Sequence, residues 1–323
     1  MKGTLPAILG LMMTAQFAAQ AQVIEYITNA DGSIYTYYAN GDDITFAGYT
    51  GPGGEVTIPS VIAGMPVTSI GGYAFYECTN LASVIIPSPV FSIGDSAFEY
   101  CISLTNVIIP DSVTIIGGLA FDQCYALSSI KIPRSVTIIG EYAFSSCWNL
   151  TDIIISNGVT SIDEVAFGAC GMSSITIPSS VTSIGWAAFA SCPNLTSVYF
   201  LGNAPAADSS TFDYDTNLTT YYLPGSKGWS RTFWAFPYPT GPPAVLWNPI
   251  GASGDAIFSI QNGQFGLSFT GPVNLTVRLE ACSNLSNPSW KPLATNTLTS
   301  GLFSFSEPLQ TNAAGRFYRI SFP

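Results

Sequence analysis

The chain has 323 residues, only 9% of them charged and none of them histidine, and 20 Asp and Glu against 9 Lys and Arg leave a formal charge of -11. That balance excludes a nucleic-acid partner, because no Lys/Arg stripe exists to neutralise phosphates. The missing imidazole also removes the usual Ser-His-Asp triad.

Residues 1-21 have the make-up of a signal peptide. Lys2 gives a positive start, Leu5 to Phe17 is mostly apolar, and Ala19-Gln20-Ala21 is a small-x-small site that predicts cleavage before Gln22. The apolar stretch is too short to span a bilayer as a stable helix. No later segment reads as transmembrane, so the mature chain is expected to be secreted or held at the cell surface by its partners. Residues 22-69 read as an N-terminal cap and half repeat. Tyr35 to Tyr38 and Asp43 to Ala47 alternate around Asn40-Gly41, a hairpin signal. A cap is needed, because the first unit of a stacked array would otherwise expose a sheet edge and an apolar end.

Between residues 70 and 200 one phrase recurs six times: Ile-Gly-x-x-Ala-Phe-x-x-Cys-x-x-Leu-x-x-Ile-x-Ile-Pro. Its phenylalanines fall at Phe75, Phe98, Phe121, Phe144, Phe167 and Phe189, a spacing of 23 residues that shortens to 22 at the last step. Units of this length cannot bury an apolar face alone and must stack. The Leu-to-Pro segment reads as a short strand with Val84 and Ile86 inward and Ser83 and Ile85 outward. The Ala-Phe-x-x-Cys segment is expected to form one turn of α- or 3₁₀-helix on the opposite wall, with Phe plugging the core. Gly71, Gly94, Gly117, Gly140 and Gly185 are expected to supply unusual dihedrals. The six repeat cysteines, Cys78 to Cys192, occupy one column. Their parallel Cβ directions fit a disulfide poorly, so reduced, buried thiols are expected. Cys282 stands apart from them.

Residues 201-242 leave the period and become aromatic and Pro-rich, with Tyr221, Tyr222, Trp229, Phe233, Trp234 and Phe236, as a C-terminal cap would. From 243 to 323 short alternating runs such as Phe265 to Phe269 and Leu275 to Glu280 are separated by Asn/Gly/Pro turns, which predicts an antiparallel β-sandwich. The expected fold is therefore mainly β: a solenoid of about six 23-residue coils with caps, followed by a small C-terminal sandwich.

The repeated phrase closely resembles the BspA-type, or Treponema pallidum type, leucine-rich repeat, over roughly residues 55 to 200. The resemblance implies a curved solenoid with a sheet on one face, export or surface display, and binding to proteins, extracellular matrix or other cells. It brings no catalytic motif. The stretch from Leu279-Glu280-Ala281-Cys282 through Trp290 to Arg316-Phe317-Tyr318 is similar, more weakly, to a terminal module on exported proteins of Verrucomicrobia-like bacteria.

No catalytic residue, cofactor site or metal site is assigned. Glu141 with Glu164, and Glu99 with Asp122, share columns on neighbouring coils, the arrangement of a glycosidase pair. A solvated acidic face produces the same pattern, and calcium lacks its Asp-x-Asp-x-Asp loop. The threonine column Thr114, Thr137, Thr160 and Thr182, which Phe91 interrupts, is a weak sign of an ice-binding array. The outward strand column is the candidate binding set: Ile85, Ile108, Lys131, Ile154, Thr176 and Tyr199. Two readings of it stand, an apolar interaction stripe with a polar rim and β-branched residues that merely suit strands. The function expected is non-enzymatic binding of a protein or glycan on a cell surface or matrix. The alternatives are an extracellular polysaccharide-active enzyme on a solenoid scaffold and a structural surface or matrix component. Sequence leaves the ligand and the oligomeric state open.

Overall fold

Apolar residues that recur once per coil line up into columns, and each column in this chain becomes a continuous stack in the core. The computed structural model describes residues 3-4, 24-207, 209-223, 225-229, 242-246, 256-261, 264-271, 275-283, 289-299, 301-308 and 317-322. Most of the expected leader, with its cleavage site, and Phe233, Trp234 and Phe236 of the expected cap lie outside them. Among the described residues every regular element is a strand.

The N-terminal cap is an antiparallel meander of Glu25–Thr28, Ile34–Asn40 and Asp43–Thr50. Its hairpin closes where expected, with Asn40 opposite Asp43 and Gly41 at φ 73°. The last cap strand then pairs in parallel with Met65–Ile70, handing the sheet on to two-residue strands from Ser92–Ile93 to Ser183–Ile184, one per coil. A second wall carries the longer strands: Gly54–Thr57, Leu81–Ile85, Asn106–Ile108, Ser129–Ile132, Asp152–Ile155, Ser174–Ile177 and Ser197–Phe200. Two further strands, Thr219–Tyr222 and Ala244–Leu246, extend this strand wall in parallel register. The predicted alternation holds: Val84 and Ile86 are buried, and Ile85 between them is exposed.

The third wall differs from expectation. Instead of a helical turn, residues 71-81 and their counterparts form consecutive β-turns. Ala74, Tyr76 and Cys78 donate backbone N–H to the carbonyl three residues back, whereas Tyr73, Phe75 and Glu77 donate to Asp95, Ala97 and Glu99 of the next coil. A 3₁₀-helix would need every N–H turned along its own axis; here alternate ones turn outward to join the coils. The alternation is produced by two left-handed residues per coil, such as Tyr73 (φ 61°) and Glu77 (φ 56°), repeated down to Ala187 and Ser191. The recurrent glycines serve a different purpose from the one expected. None of Gly71, Gly94, Gly117, Gly140 and Gly185 has a positive φ. They allow close approach of coils: a Cβ on Gly94 would stand 2.6 Å from the Gly72 nitrogen, and one on Gly140 would stand 2.7 Å from the Gly117 carbonyl carbon.

Inside the turn wall, Phe75 to Phe189 stack ring on ring with centroids 4.9 to 5.6 Å apart. Phe46 of the N-terminal cap and Phe212 beyond the last repeat continue the stack at its two ends. Beside it runs the thiol column. Cys101, Cys124, Cys147, Cys170 and Cys192 are buried and free, and each Sγ–H donates to the carbonyl of a phenylalanine one coil back, from Cys101 to Phe75 at 3.1 Å through Cys192 to Phe167 at 3.3 Å. Burial raises their pKa, to about 11 for half-buried Cys78 and about 12 for Cys192. Neutral thiols are thus held as small apolar groups with a satisfied donor.

The C-terminal module consists of two three-stranded antiparallel sheets. One orders Ala256–Gln261, Gln264–Thr270 and Leu302–Pro308; the other orders Lys291–Thr297, Thr276–Cys282 and Phe317–Ser321. Leu267, Phe269, Val277, Leu279, Leu298 and Phe303 fill the space between them. Tyr199, Leu201 and Tyr221 of the solenoid pack against this same cluster, so the two cores meet at the end of the strand wall.

Candidate functional site

Parallel pairing joins the six outward residues of the predicted column two by two, in three pairs that succeed one another along the strand wall. Ile85 pairs with Ile108, Lys131 with Ile154, and Thr176 with Tyr199. The column has an open end and a covered end. Ile85 and Ile108 are 58% and 67% exposed, and Lys131 is exposed. Ile154, Thr176 and Tyr199 are half-buried. Tyr199 stacks on Tyr221 at 5.0 Å and lies under the C-terminal module.

The strand ladder has two breaks. No pairing joins Asn106–Ile108 to Ser129–Ile132, or Asp152–Ile155 to Ser174–Ile177. The second break has a local cause: the coil around Gly171 and Met172 lacks one residue, and the chain draws in until a Cβ on Gly171 would stand 2.2 Å from the Trp148 carbonyl oxygen. Each break coincides with a groove. The first, about 440 Å³, is lined by Asn106, Ile108, Asp111, Ser129, Lys131 and Asp152, among others. The second, about 680 Å³, lies between the strand wall and the C-terminal module, where Thr176, Asn157, Leu201, Leu223, Leu275 and Phe322 contribute. Lys131 and Ile154 line both grooves and link them into one trough.

Its chemistry is mixed: isoleucine faces, serine and asparagine edges, and the Lys131 ammonium in the same lining as Asp111 and Asp152. Among the described residues Lys131 has no carboxylate within ion-pair distance, and the ion pair present is Arg319 Nε to Glu280 Oε2 at 2.7 Å, in the C-terminal module. The carboxylate columns are elsewhere. Glu99, Asp122, Glu141 and Glu164 line neither groove. Asp122 is buried and accepts from Gln123 Nε2, and Glu164 accepts from the Tyr142 hydroxyl. Among the described residues no group of three or more His, Cys, Asp and Glu is placed to hold a metal ion. The threonine column is anchored to its own scaffold, with Thr114, Thr160 and Thr182 each donating to the carbonyl one coil back.

Sequence reading missed the breaks and the covering of the column's far end. The signal for the covering was present: Tyr199 and Tyr221 are large aromatic side chains at outward positions of adjacent strands, which would be wasted on solvent.

Among proteins of known sequence and structure, the chain matches the BspA type leucine-rich repeat region in six copies, over residues 55–170 and 137–228. Nothing among curated proteins matches it. Similar solved structures include a leucine-rich repeat protein of T. pallidum, 30% identical over 62% of this chain and 83% of that one, with a TM-score of 0.42. A leucine-rich cell surface protein of Faecalibacterium prausnitzii is 20% identical over 71% of this chain and 95% of that one, with a TM-score of 0.41. The pneumococcal vaccine antigen PcpA is 22% identical over 54% and 49%, with a TM-score of 0.43.

Proposed function

Because the chain belongs to the BspA-type leucine-rich repeat family, we propose that it is an exported or surface-displayed binding protein that presents its strand wall to a protein or glycan partner. One observation carries the reading: Ile85 and Ile108, paired on adjacent strands, are more than half exposed, and Ile108 lines a groove that a lysine and two carboxylates border. An exposed pair of isoleucines with a polar rim has the composition of an interface centre. The covered end of the column gives the trough a wall, so a partner would contact the open coils and the edge of the C-terminal module together. No step of this reading needs a bond made or broken by the protein.

The test is a panel of matrix proteins and a glycan array probed with the full chain and with Ile85→Asp, Ile108→Asp. A charge at each position would be desolvated without a partner in the contact, so binding should fall by at least about tenfold. Melting temperature should stay close to wild type, because neither side chain reaches the core. Retained binding in a folded double variant would move the site off the strand wall and overturn the reading.

A further inference from the structure

The strand wall is not where the chain exposes most aromatic surface. On the turn wall of the first four coils, Tyr73, Tyr76 and Trp148 are 63%, 39% and 60% exposed, and Tyr100 and Tyr125 are half-buried between them. The rings touch in two groups. Tyr73 meets Tyr76 edge-on at 5.6 Å, Tyr76 meets Tyr100 edge-on at 6.0 Å, and Tyr125 lies flat on Trp148 at 4.4 Å. Partial burial raises the pKa of the Tyr125 phenol, and Tyr100 and Asp122 are close enough to raise it further. The two ring groups follow one another along one wall, the first on coils one and two and the second on coils three and four, and together make an aromatic ribbon interrupted between Tyr100 and Tyr125. Beyond Trp148 the corresponding position is Gly171, which puts no side chain over the far face of the indole.

These rings do not hold the solenoid together, since the phenylalanine stack already fills the inside of the same wall. Their surroundings are acidic. Glu77, Glu99 and Glu141 sit on this wall, and the turn segments 71-81, 94-104, 117-127, 140-150, 163-172 and 185-195 contain no lysine or arginine. Glu77 follows Tyr76 in the chain and donates its backbone N–H to the Glu99 carbonyl at 2.9 Å, which sets both residues beside the ribbon; desolvation first, then these two carboxylates, push the Tyr76 phenol up. Aromatic faces attract cations, guanidinium more than ammonium, and carboxylates beside them add Coulomb attraction. Among the described residues the cation–ring contact and the ion pair present both belong to Arg319, in the C-terminal module.

We propose that the ribbon from Tyr73 to Trp148 is a second docking surface, for a cationic polypeptide segment whose arginine or lysine side chains lie on the rings while Glu77, Glu99 and Glu141 offset their charge. This surface is on a different wall from the strand trough and stands or falls independently of it. A polyanion would be repelled. A neutral glycan would gain from the rings but not from the carboxylates.

The test titrates the full chain with a fluorescent oligo-arginine peptide, an oligo-lysine peptide of equal length and a neutral β-glucan oligosaccharide. Arginine should bind more tightly than lysine, and both should weaken as salt is raised. Tyr76→Ala with Trp148→Ala should cost about tenfold for the arginine peptide. Tyr76→Leu with Trp148→Leu, which keeps apolar area without a π face, should cost about the same. Glu99→Gln with Glu141→Gln should weaken binding and flatten its salt dependence, whereas the charge-matched pair Asp42→Asn with Glu55→Gln, exposed on other surfaces, should do neither. Equal effects of the two carboxylate pairs, or full binding without the rings, would reduce the attraction to the net charge of the chain and overturn the proposal. Oligosaccharide binding that disappears with the rings would overturn it in favour of a glycan.

Discussion

The turn wall and the strand wall of the same coils are held in opposite ways. At the five junctions between repeats, the turn wall carries three backbone hydrogen bonds, as from Leu119, Phe121 and Gln123 to Glu141, Ala143 and Ser145, and a continuous ring stack lies behind them. The strand wall, built from better strand-forming residues, loses its ladder twice. Continuity across coils therefore follows from fixed backbone geometry, with two left-handed residues per coil aiming alternate N–H groups at the neighbour, more than from β propensity. The wall that opens is the one with grooves.

The contrast is broken most severely by removing a ring. Phe144→Ala takes a fully buried side chain from between Phe121 and Phe167 and should destabilise by about 3 to 5 kcal/mol in chemical denaturation. A cost near that of a surface change would show that the stack is not what ties the coils. Gly140→Ala is the next test. Its new Cβ meets backbone at 2.7 Å, which cannot rotate away, so a loss of about 1 to 3 kcal/mol is expected.

At the far end of the turn wall, Asp215 accepts the Cys192 N–H with one carboxyl oxygen at 2.8 Å while the other is buried without a partner. Burial pushes its pKa up to about 7 from 3.8. The folded state thus holds this proton more tightly than the unfolded state, so the group's contribution is complete below about pH 4 and is lost as pH rises to about 7. The melting-temperature advantage of Asp215→Asn over wild type should grow across that window and level off above it. An advantage independent of pH would mean that the carboxyl is ionised in the fold. The smallest effect belongs to the strand wall: Ile108→Thr, at an outward and exposed position, should change stability by less than about 0.5 kcal/mol. A larger loss would place Ile108 in the core and remove the asymmetry between the walls.

What could be read from sequence follows the same division. Phe75 to Phe189, the cysteine column and the strand alternation were legible because repetition turns one residue's environment into six. Phe46 joins the stack without the repeated phrase around it, so periodicity did not mark it; Phe212 lies on the period, 23 residues after Phe189, but with Thr211 and Asp215 where the phrase has Ala and Cys. The glycines were legible as special but not why, since left-handed backbone and close approach both favour glycine, and here residues as ordinary as Leu119 and Val165 take the left-handed positions. The candidate column was legible residue by residue. Its breaks were not, because Ile108 and Lys131 stand in the same repeat position as residues whose strands do pair. The covering of Tyr199 depends on where the C-terminal module docks, a long-range contact that alternation within strands does not encode.

The thiol column has a further use. A thiol whose pKa is raised by about two units carries roughly a hundredfold less thiolate at neutral pH, and a buried one is also out of reach of an alkylating reagent. Labelling then waits for the coil to open, and each rung from Cys78 to Cys192 reports on its own coil. Half-buried Cys78 should react before Cys147, so the order of labelling would read out how far the solenoid frays from its ends.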